Sequence, residues 1–430
     1  MGQEHQTMTR RKFVGYLSAA AASAAICHRT AATEAQTQPA RIAELRVIRV
    51  RQRASQEASR PFFQITADTG HIGVSGELFM ETPKRLEEML GKLRELLLGQ
   101  DPRLRELHSV RLWNDLYPGR SVEAFAAGRD PLTGDAIWNT RRKARHTAAG
   151  TVWMALSAVD NALWDLRGKS RGAPVSRLLG ASRKQLPVYL SLTPSDSLDD
   201  TRKRARQFFD QGFRSQKWFL LHGPPHGQQG FKTNVGVVEA VRTELGREAR
   251  LMFDFAVGGR NKCDWDVPYA IALAKAIEPF QPFWLEEPFS PEEIDSYERL
   301  RDKTSIPLAT GEHTYTRWNI RPFLDRKLVK FVQSDPEWCG GVSEWLNIAQ
   351  LVRQYDGAQL VPHGHHVLAA AQVVASQPVT LCPMIEYGVW FTRDRQTLQT
   401  RIVMPKGGQL DVPTEPGMGP DLDWKRIESV

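Results

Sequence analysis

The sequence is poor in cysteine, and what it has is badly spaced for structure. Of four cysteines in 430 residues, Cys27 lies near the N-terminus, and Cys263, Cys339 and Cys382 form an odd set with no Cys-x-x-Cys pair. Neither a disulfide framework nor a zinc site is expected. There is also no long run of Lys or Arg, although the net charge is +8. The positive charge is spread out, which argues against a nucleic-acid footprint and leaves attraction of acidic small molecules as its plain consequence. No Gly-rich dinucleotide turn follows any apolar run, which counts against a doubly wound nucleotide fold. The apolar stretch from Val14 to Ile26 is too short to span a bilayer comfortably.

What is present begins with Thr9-Arg10-Arg11-Lys12-Phe13-Val14 ahead of that Ala-rich stretch. The arrangement resembles a twin-arginine export signal, so residues 1–36 are expected to direct the chain to the periplasm. The remaining length is ample for two domains. Alternating residues from Ile42 to Val50, then Phe62 to Gly70 and Ile72 to Glu77, predict three strands, and Thr82 to Leu98 a helix. These belong to a small α+β domain over residues 37–149, which includes the basic run Arg141, Arg142, Lys143 and Arg145, read as a solvated face. Val152 to Leu166 has apolar residues at three- and four-residue steps and predicts an amphipathic helix.

From there the pattern repeats. Short apolar runs at Leu186–Leu192, Gln216–Leu221, Leu251–Phe253, Phe283–Leu285, Ile306–Ala309, Val329–Val332, Gln359–Pro362 and Cys382–Ile385 alternate with helical segments. Strands alternating with helices in this way predict an α/β protein built on a parallel barrel, over residues 150–395. Polar residues end the runs: Lys217, Asp254, Glu286, Glu312, Asp335, His363 and Glu386. From Asp254 onward the steps are 32, 26, 23, 28 and 23 residues, about the length of one βα unit. Successive strands would therefore each deliver one group to the same mouth, where barrel enzymes keep their chemistry. Phe283-Trp284-Leu285-Glu286-Glu287-Pro288-Phe289 is the clearest case. An apolar strand running into paired carboxylates needs a cation or a partner there, and three acids at three strand ends could make a hard-oxygen site suited to Mg²⁺.

Ala162-Leu163-Trp164-Asp165-Leu166, Trp284-Leu285-Glu286-Glu287-Pro288, Gly311-Glu312-His313 and Cys339-Gly340-Gly341 together resemble the mandelate racemase subgroup of the enolase superfamily. Gln216-Lys217-Trp218-Phe219, the loop from His222 to Gly230, Gly311 to Arg317 and Pro362-His363-Gly364 are most similar to rhamnonate-dehydratase-type sugar-acid dehydratases. The resemblance implies a modified (β/α)₇β TIM-like barrel under an α+β cap, with the tail at residues 396–430 returning to the cap. It implies Mg²⁺ held by Asp254, Glu286 and Glu312, with Glu286 preferred over Glu287. It implies His363 as general base, Asp335 as its orienting partner, and Glu386 as a protonated acid hydrogen-bonded to the substrate carboxylate.

Lys217 stands where the family often has the first lysine of a Lys-x-Lys pair, and Phe219 fills the second position. A base is then available on the histidine face only. This favours elimination of water from an acid sugar, with Lys217 helping to neutralise the substrate carboxylate. The sequence also departs from the family at Ala256, where many relatives carry Asn, and in the cap loop from Val50 to Pro61, which has no histidine. His222, His226, His313, His365 and His366 are further residues near the mouth without an assigned part. The expected partner is a small acid-sugar substrate, with no nucleic acid and no stable membrane insertion, and the chain is expected to form a homo-oligomer. An Mg²⁺-dependent racemase or epimerase of a 2-hydroxy acid, and an exported acid-sugar-binding protein without turnover, remain the alternatives.

Overall fold

The first strand, β1 (Ile42–Gln52), turns Ile42, Leu45, Ile48 and Val50 inward while Glu44 and Arg49 face out, the alternation of a half-buried strand. It pairs antiparallel with β2 (Arg60–Ala67), which pairs with β3 (Ile72–Val74). Helix α1 (Thr82–Leu97) buries Leu86, Met89, Leu93 and Leu97 along one stripe. The chain end returns to this sheet, where β13 (Ile427–Ser429) pairs antiparallel with β1 through Val50 and Ser429. The computed structural model describes residues 40–79, 81–102, 150–255 and 266–430. The N-terminal leader, the basic run from Arg141 to Arg145, Ala256 and Cys263 lie outside these residues.

Helix α2 (Gly150–Ser170) departs from the amphipathic reading. It is buried on nearly every face, because it lies between the cap sheet and the barrel. On one side Val74 donates its backbone N–H to Asp165 Oδ2 at 2.9 Å, and Gly73 packs so closely on Ala162 and Leu166 that a Cβ has no room. On the other side Asp160 accepts from the Ser343 N–H at 2.9 Å and Asn161 from the Val342 N–H at 3.0 Å. Those N–H groups open a barrel helix, so two polar residues of α2 satisfy donors that would otherwise be orphaned. No helix among the described residues is long and apolar enough to cross a membrane.

After the short helix α3 (Val175–Leu178), eight parallel strands build the barrel: β4 (Gln185–Leu192), β5 (Ser215–Phe219), β6 (Arg250–Asp254), β7 (Trp284–Glu286), β8 (Leu308–Thr310), β9 (Phe331–Val332), β10 (Gln359–Leu360) and β11 (Ile385–Gly388). Each of β4 to β9 pairs with the next in sequence, and β11 pairs back onto β4. The crossovers carry α4 (Leu198–Asp210), α5 (Gly227–Leu245), α6 (Val267–Ile277), α7 (Ile294–Arg301), α8 (Thr316–Asp325), α9 (Gly341–Val352) and α10 (Val367–Ala375). A last turn, α11 (Phe391–Asp394), follows β11, and the hairpin strand β12 (Gln409–Asp411) pairs with β4. Tyr189, Met252, Trp284, Ala309, Phe331, Val361 and Met384 fill the interior, so the barrel is a packed core that exposes chemistry only at its ends. The fold is an α/β TIM-like barrel with an N-terminal α+β cap.

Candidate active site

Strand ends deliver the predicted residues to one mouth. Asp254 and Glu286 lie side by side in register at the ends of β6 and β7. Lys217 lies on β5 two residues before Phe219, the register partner of Asp254, and Glu386 lies on β11 beside β4. Lys217, Glu286 and Glu386 are almost wholly buried. The Lys217 ammonium bonds Asp254 Oδ2 at 3.1 Å, Glu386 Oε1 at 3.0 Å and, more tightly, Glu286. Burial would lower the lysine's pKa, but Glu286, Glu386 and Asp254 outweigh it and raise the pKa well above its ordinary value. Lys217 is therefore a fixed cation. It holds three acids together and is buried among them.

Glu286 takes two further donors on Oε2: the Trp284 indole at 3.1 Å and the Gln333 amide at 2.5 Å. Burial pushes its pKa well up, Lys217 opposes this, and the like charges on Asp254, Glu386 and Glu312 push it up again. Glu386 is held by the same lysine. Burial raises its pKa, but Lys217 and then His363 more than reverse this and hold it at about 2. It is a carboxylate that accepts from the Tyr189 hydroxyl at 3.0 Å and the Gly364 N–H at 3.2 Å.

On the other side of the mouth stands His363. Its Nδ1 lies 2.8 Å from Asp335 Oδ2, and its Nε2 lies 3.2 Å from Glu312 Oε2. Asp335 is itself fixed by the Glu337 N–H on Oδ1 at 2.7 Å and the His365 N–H on Oδ2 at 3.2 Å. Burial lowers the histidine pKa, yet Glu312, the Asp335 hydrogen bond and Glu386 raise it to about 10. Glu312 follows Gly311, whose φ of 145° and lack of space beside Gln333 admit only glycine. Burial also raises the pKa of Glu312, against the pull of His363 and His313.

Glu287, passed over in the sequence reading, is equally built in. It has a φ of 41°, donates its N–H to the Ala309 carbonyl at 3.0 Å, and bonds His313 Nδ1 at 2.6 Å. Glu287, Glu312 and His313 can each offer a ligand atom within 4.8 Å of the others. The charges on Asp254 and Glu312 help to raise the pKa of Glu286, and those on Glu287 and Asp254 help to raise that of Glu312. Such crowding of hard oxygens fits a divalent cation, because like charges at this density favour a counter-ion. Glu312 belongs to both groupings.

Other functional residues carried no strand-end signal. The Trp338 ring stacks on His363 with centroids 4.7 Å apart, on His365 at 5.0 Å and on Phe79 of the cap at 5.5 Å. Arg395, after α11, bonds His365 Nε2 and lies over Phe79 at 5.6 Å. Burial, and then Asp335, push Glu337 up to about 8. A cap residue, an aromatic and an arginine thus border the histidine half of the mouth. His366 caps α10 through its Nδ1, while His222 and His226 meet edge to face with ring centroids 5.0 Å apart beside α5, so none of the three joins the mouth cluster.

Residues 200–426 match the family described as enolase C-terminal domain-like, and residues 36–180 match the mandelate racemase / muconate lactonizing enzyme N-terminal domain. The chain is 31% identical over 322 residues to an L-rhamnonate dehydratase of Saccharopolyspora erythraea, covering 71% of this chain and 77% of that one. It is similar in structure to the 3,6-anhydro-D-galactonate cycloisomerase from Zobellia galactanivorans, with a TM-score of 0.69 and 26% identity over 90% of this chain and 99% of that one. A member of the enolase superfamily from Salmonella Typhimurium has the same fold, with a TM-score of 0.73 at 21% identity, covering 91% of this chain and all of the other. Both parts of the chain and the strand-end chemistry agree: the protein belongs to the mandelate racemase/muconate lactonizing enzyme family of the enolase superfamily.

Proposed function

We propose that this enzyme is an Mg²⁺-dependent hydro-lyase that dehydrates an acid sugar (an aldonate) to a 2-keto-3-deoxy acid. The observation that carries the reading is the asymmetry of the mouth. His363 and Asp335 form a hydrogen-bonded pair at 2.8 Å, while Lys217 opposite is committed to three carboxylates. A racemase needs a proton donor or acceptor on both faces of the α-carbon. Here Lys217 is a locked cation and Phe219, 5.6 Å from its ammonium, has no titratable group. Elimination needs a single residue. His363 Nε2, the ring atom that Asp335 does not hold, takes the α-proton. The β C–O bond breaks, the same imidazolium protonates the departing hydroxyl, and the enol left behind tautomerises to the keto acid.

Asp254, Glu286 and Glu312 are the proposed metal ligands, with Glu287 holding His313, which in turn lies 3.1 Å from Glu312. When bound, Mg²⁺ would neutralise these crowded carboxylates and stabilise the negative charge that develops on the substrate carboxylate. Asp335 keeps the His363 proton on Nδ1 and orients the ring. Glu386 supports Lys217 and, through the Gly364 N–H, the backbone beside His363. In this reading the cap at residues 37–149 and the tail at 396–430 close over the barrel at 150–395 and select the sugar. Relatives named for rhamnonate and anhydrogalactonate substrates support an acid-sugar substrate.

The test is a screen of diastereomeric aldonates with Mg²⁺ and detection of 2-keto-3-deoxy products. Product from at least one aldonate is expected. Exchange with inversion at the α-carbon and no water loss would point to an epimerase, and tight binding with neither would point to a binding protein. We also propose export through the leader at residues 1–36. Replacing Arg10 and Arg11 with Lys should leave the precursor in the cytoplasm, as cell fractionation and immunoblotting would show. Unchanged periplasmic delivery would contradict it.

A further inference from the structure

At the opposite end of the barrel, where the strands begin, lies a recess of about 310 Å³. Its lining holds four cations, Arg242, Arg247, Arg250 and Lys330, and no carboxylate. The topology puts them there. Arg250 opens β6, Lys330 directly precedes β9, and Arg242 and Arg247 lie at and just beyond the end of α5. Parallel strands start on one side of the barrel, so these groups converge on the mouth that the active site does not use.

None of the four has an ion-pair partner among the described residues. Elsewhere on this barrel neighbouring arginines do pair, as Arg206 does with Glu244 at 2.9 Å, Arg214 with Glu248 at 3.2 Å and Arg326 with Asp295 at 2.8 Å. Arg242 spends its guanidinium on four backbone carbonyls, those of Phe280, Gly246, Ala249 and Gln281, at 2.8–3.0 Å. It is thereby anchored as a rigid positive charge. Arg247 bonds only the Gln281 amide oxygen, at 2.7 Å. The side chains of Arg250 and Lys330 make no hydrogen bond to the described residues, although their backbones pair with Arg214 and Leu308. Arg250 lies over the Phe283 ring at 5.7 Å, and Lys330 lies at the same distance from Phe331. Burial and repulsion from Arg247 lower the pKa of Arg242, which is the mark of positive charge left uncompensated. The floor is apolar, made by Phe283, Pro282 and Pro307.

We propose that this recess is a binding site for a small multivalent anion, distinct from the active site. Two exposed, unpaired cations stand above an apolar floor, and an anchored arginine stands beside it, so an anion there gains charge-assisted contacts without displacing an internal pair. Phosphorylated and polycarboxylate compounds share the required chemistry.

The experiment is isothermal titration of the full-length, Mg²⁺-loaded protein with phosphate, sulfate and tricarballylate at constant ionic strength. Saturable binding of at least one probe is expected. Arg250→Glu with Lys330→Glu should weaken it by at least about tenfold, and the Arg250→Gln with Lys330→Gln variant should lie between. Glu286→Gln, at the other mouth, should bind as the wild type does. Preference for phosphate over tricarballylate, or the reverse, identifies which source the site serves. Absence of saturable binding by any probe overturns the proposal. So does binding that survives the double Glu variant or is lost in Glu286→Gln. Because substrate turnover is not read, these outcomes are independent of the proposed dehydration.

Discussion

The two halves of the active mouth are built from the same materials and differ in what their cation can do. On one half a lysine is buried among Asp254, Glu286 and Glu386. On the other a histidine is buried between Asp335 and Glu312. Both cations are stabilised by carboxylates against the cost of burial. The lysine's charge is held on throughout the ordinary pH range, so it can only position and neutralise. The pKa of the imidazole is raised against burial to about 10, chiefly by Glu312; a cation held on Glu312 would offset that pull, and the second ring nitrogen could then move a proton. Similar surroundings, three carboxylates around the lysine and two around the histidine, thus hold a fixed cation on one side and a ring with a second nitrogen on the other, and on the proposed function that difference favours elimination over racemisation.

The comparison breaks most severely at Lys217. Lys217→Met would leave three buried acids without their counter-ion, and losing one partner of a buried pair costs about 3–5 kcal/mol. Chemical denaturation should show a loss of that order, and turnover should disappear with it. A variant as stable as the wild type would mean that the three acids do not depend on the ammonium.

Asp335→Asn sharpens the other half. The ring of His363 would remain but be less basic and poorly oriented. We expect kcat to fall by roughly 10²–10³-fold with KM little changed. Loss in KM alone would show that Asp335 serves binding and not the proton-transfer step.

His366, three residues beyond His363, supplies the smallest effect and a useful contrast. Burial, with Arg395 nearby, lowers its pKa to about 3. The folded state then binds fewer protons than the unfolded one below the ordinary histidine pKa of about 6.5. Its contribution is fully present above that pH and is lost as pH falls toward 3, at up to about 1.4 kcal/mol per unit. His366→Asn keeps an N-cap for α10 and removes the titration. The stability difference between variant and wild type should therefore change between pH 7 and pH 5. A difference independent of pH would refute the assignment.

Much of the barrel was legible because each strand is an apolar run that stops on a polar residue. Leu251 to Asp254 and Phe283 to Glu286 read as strand and ligand together, and the structure ends β6 and β7 on those acids. The spacing of one βα unit between successive polar ends also carried the topology. Less legible was anything fixed by packing between distant segments. Helix α2 read as amphipathic because its helical period is real, but burial on both sides depends on a cap sheet and a barrel helix that only the fold brings together. Lys217 read as a mouth residue, and its three partners come from strands β6, β7 and β11. Trp338, Arg395 and Phe79 sit in loops, where no periodicity marks them, and only tertiary contact brings Trp338 to His363 and Phe79 and Arg395 to His365. Recurrence at strand ends reveals the acids but not their charge states, which depend on partners such as Lys217 that only the fold brings together.

The central claim is that His363 alone moves the α-proton. It is tested most directly by following solvent deuterium into the α-position of the best aldonate from the screen, with wild type and His363→Asn side by side and Mg²⁺ present. Proton transfer by a positioned base contributes roughly 10²–10⁴-fold, and no second base faces the carbon in this account. The variant should therefore show neither exchange nor 2-keto-3-deoxy product while retaining its fold. Exchange by His363→Asn at the wild-type rate would place the base on another residue and contradict the account.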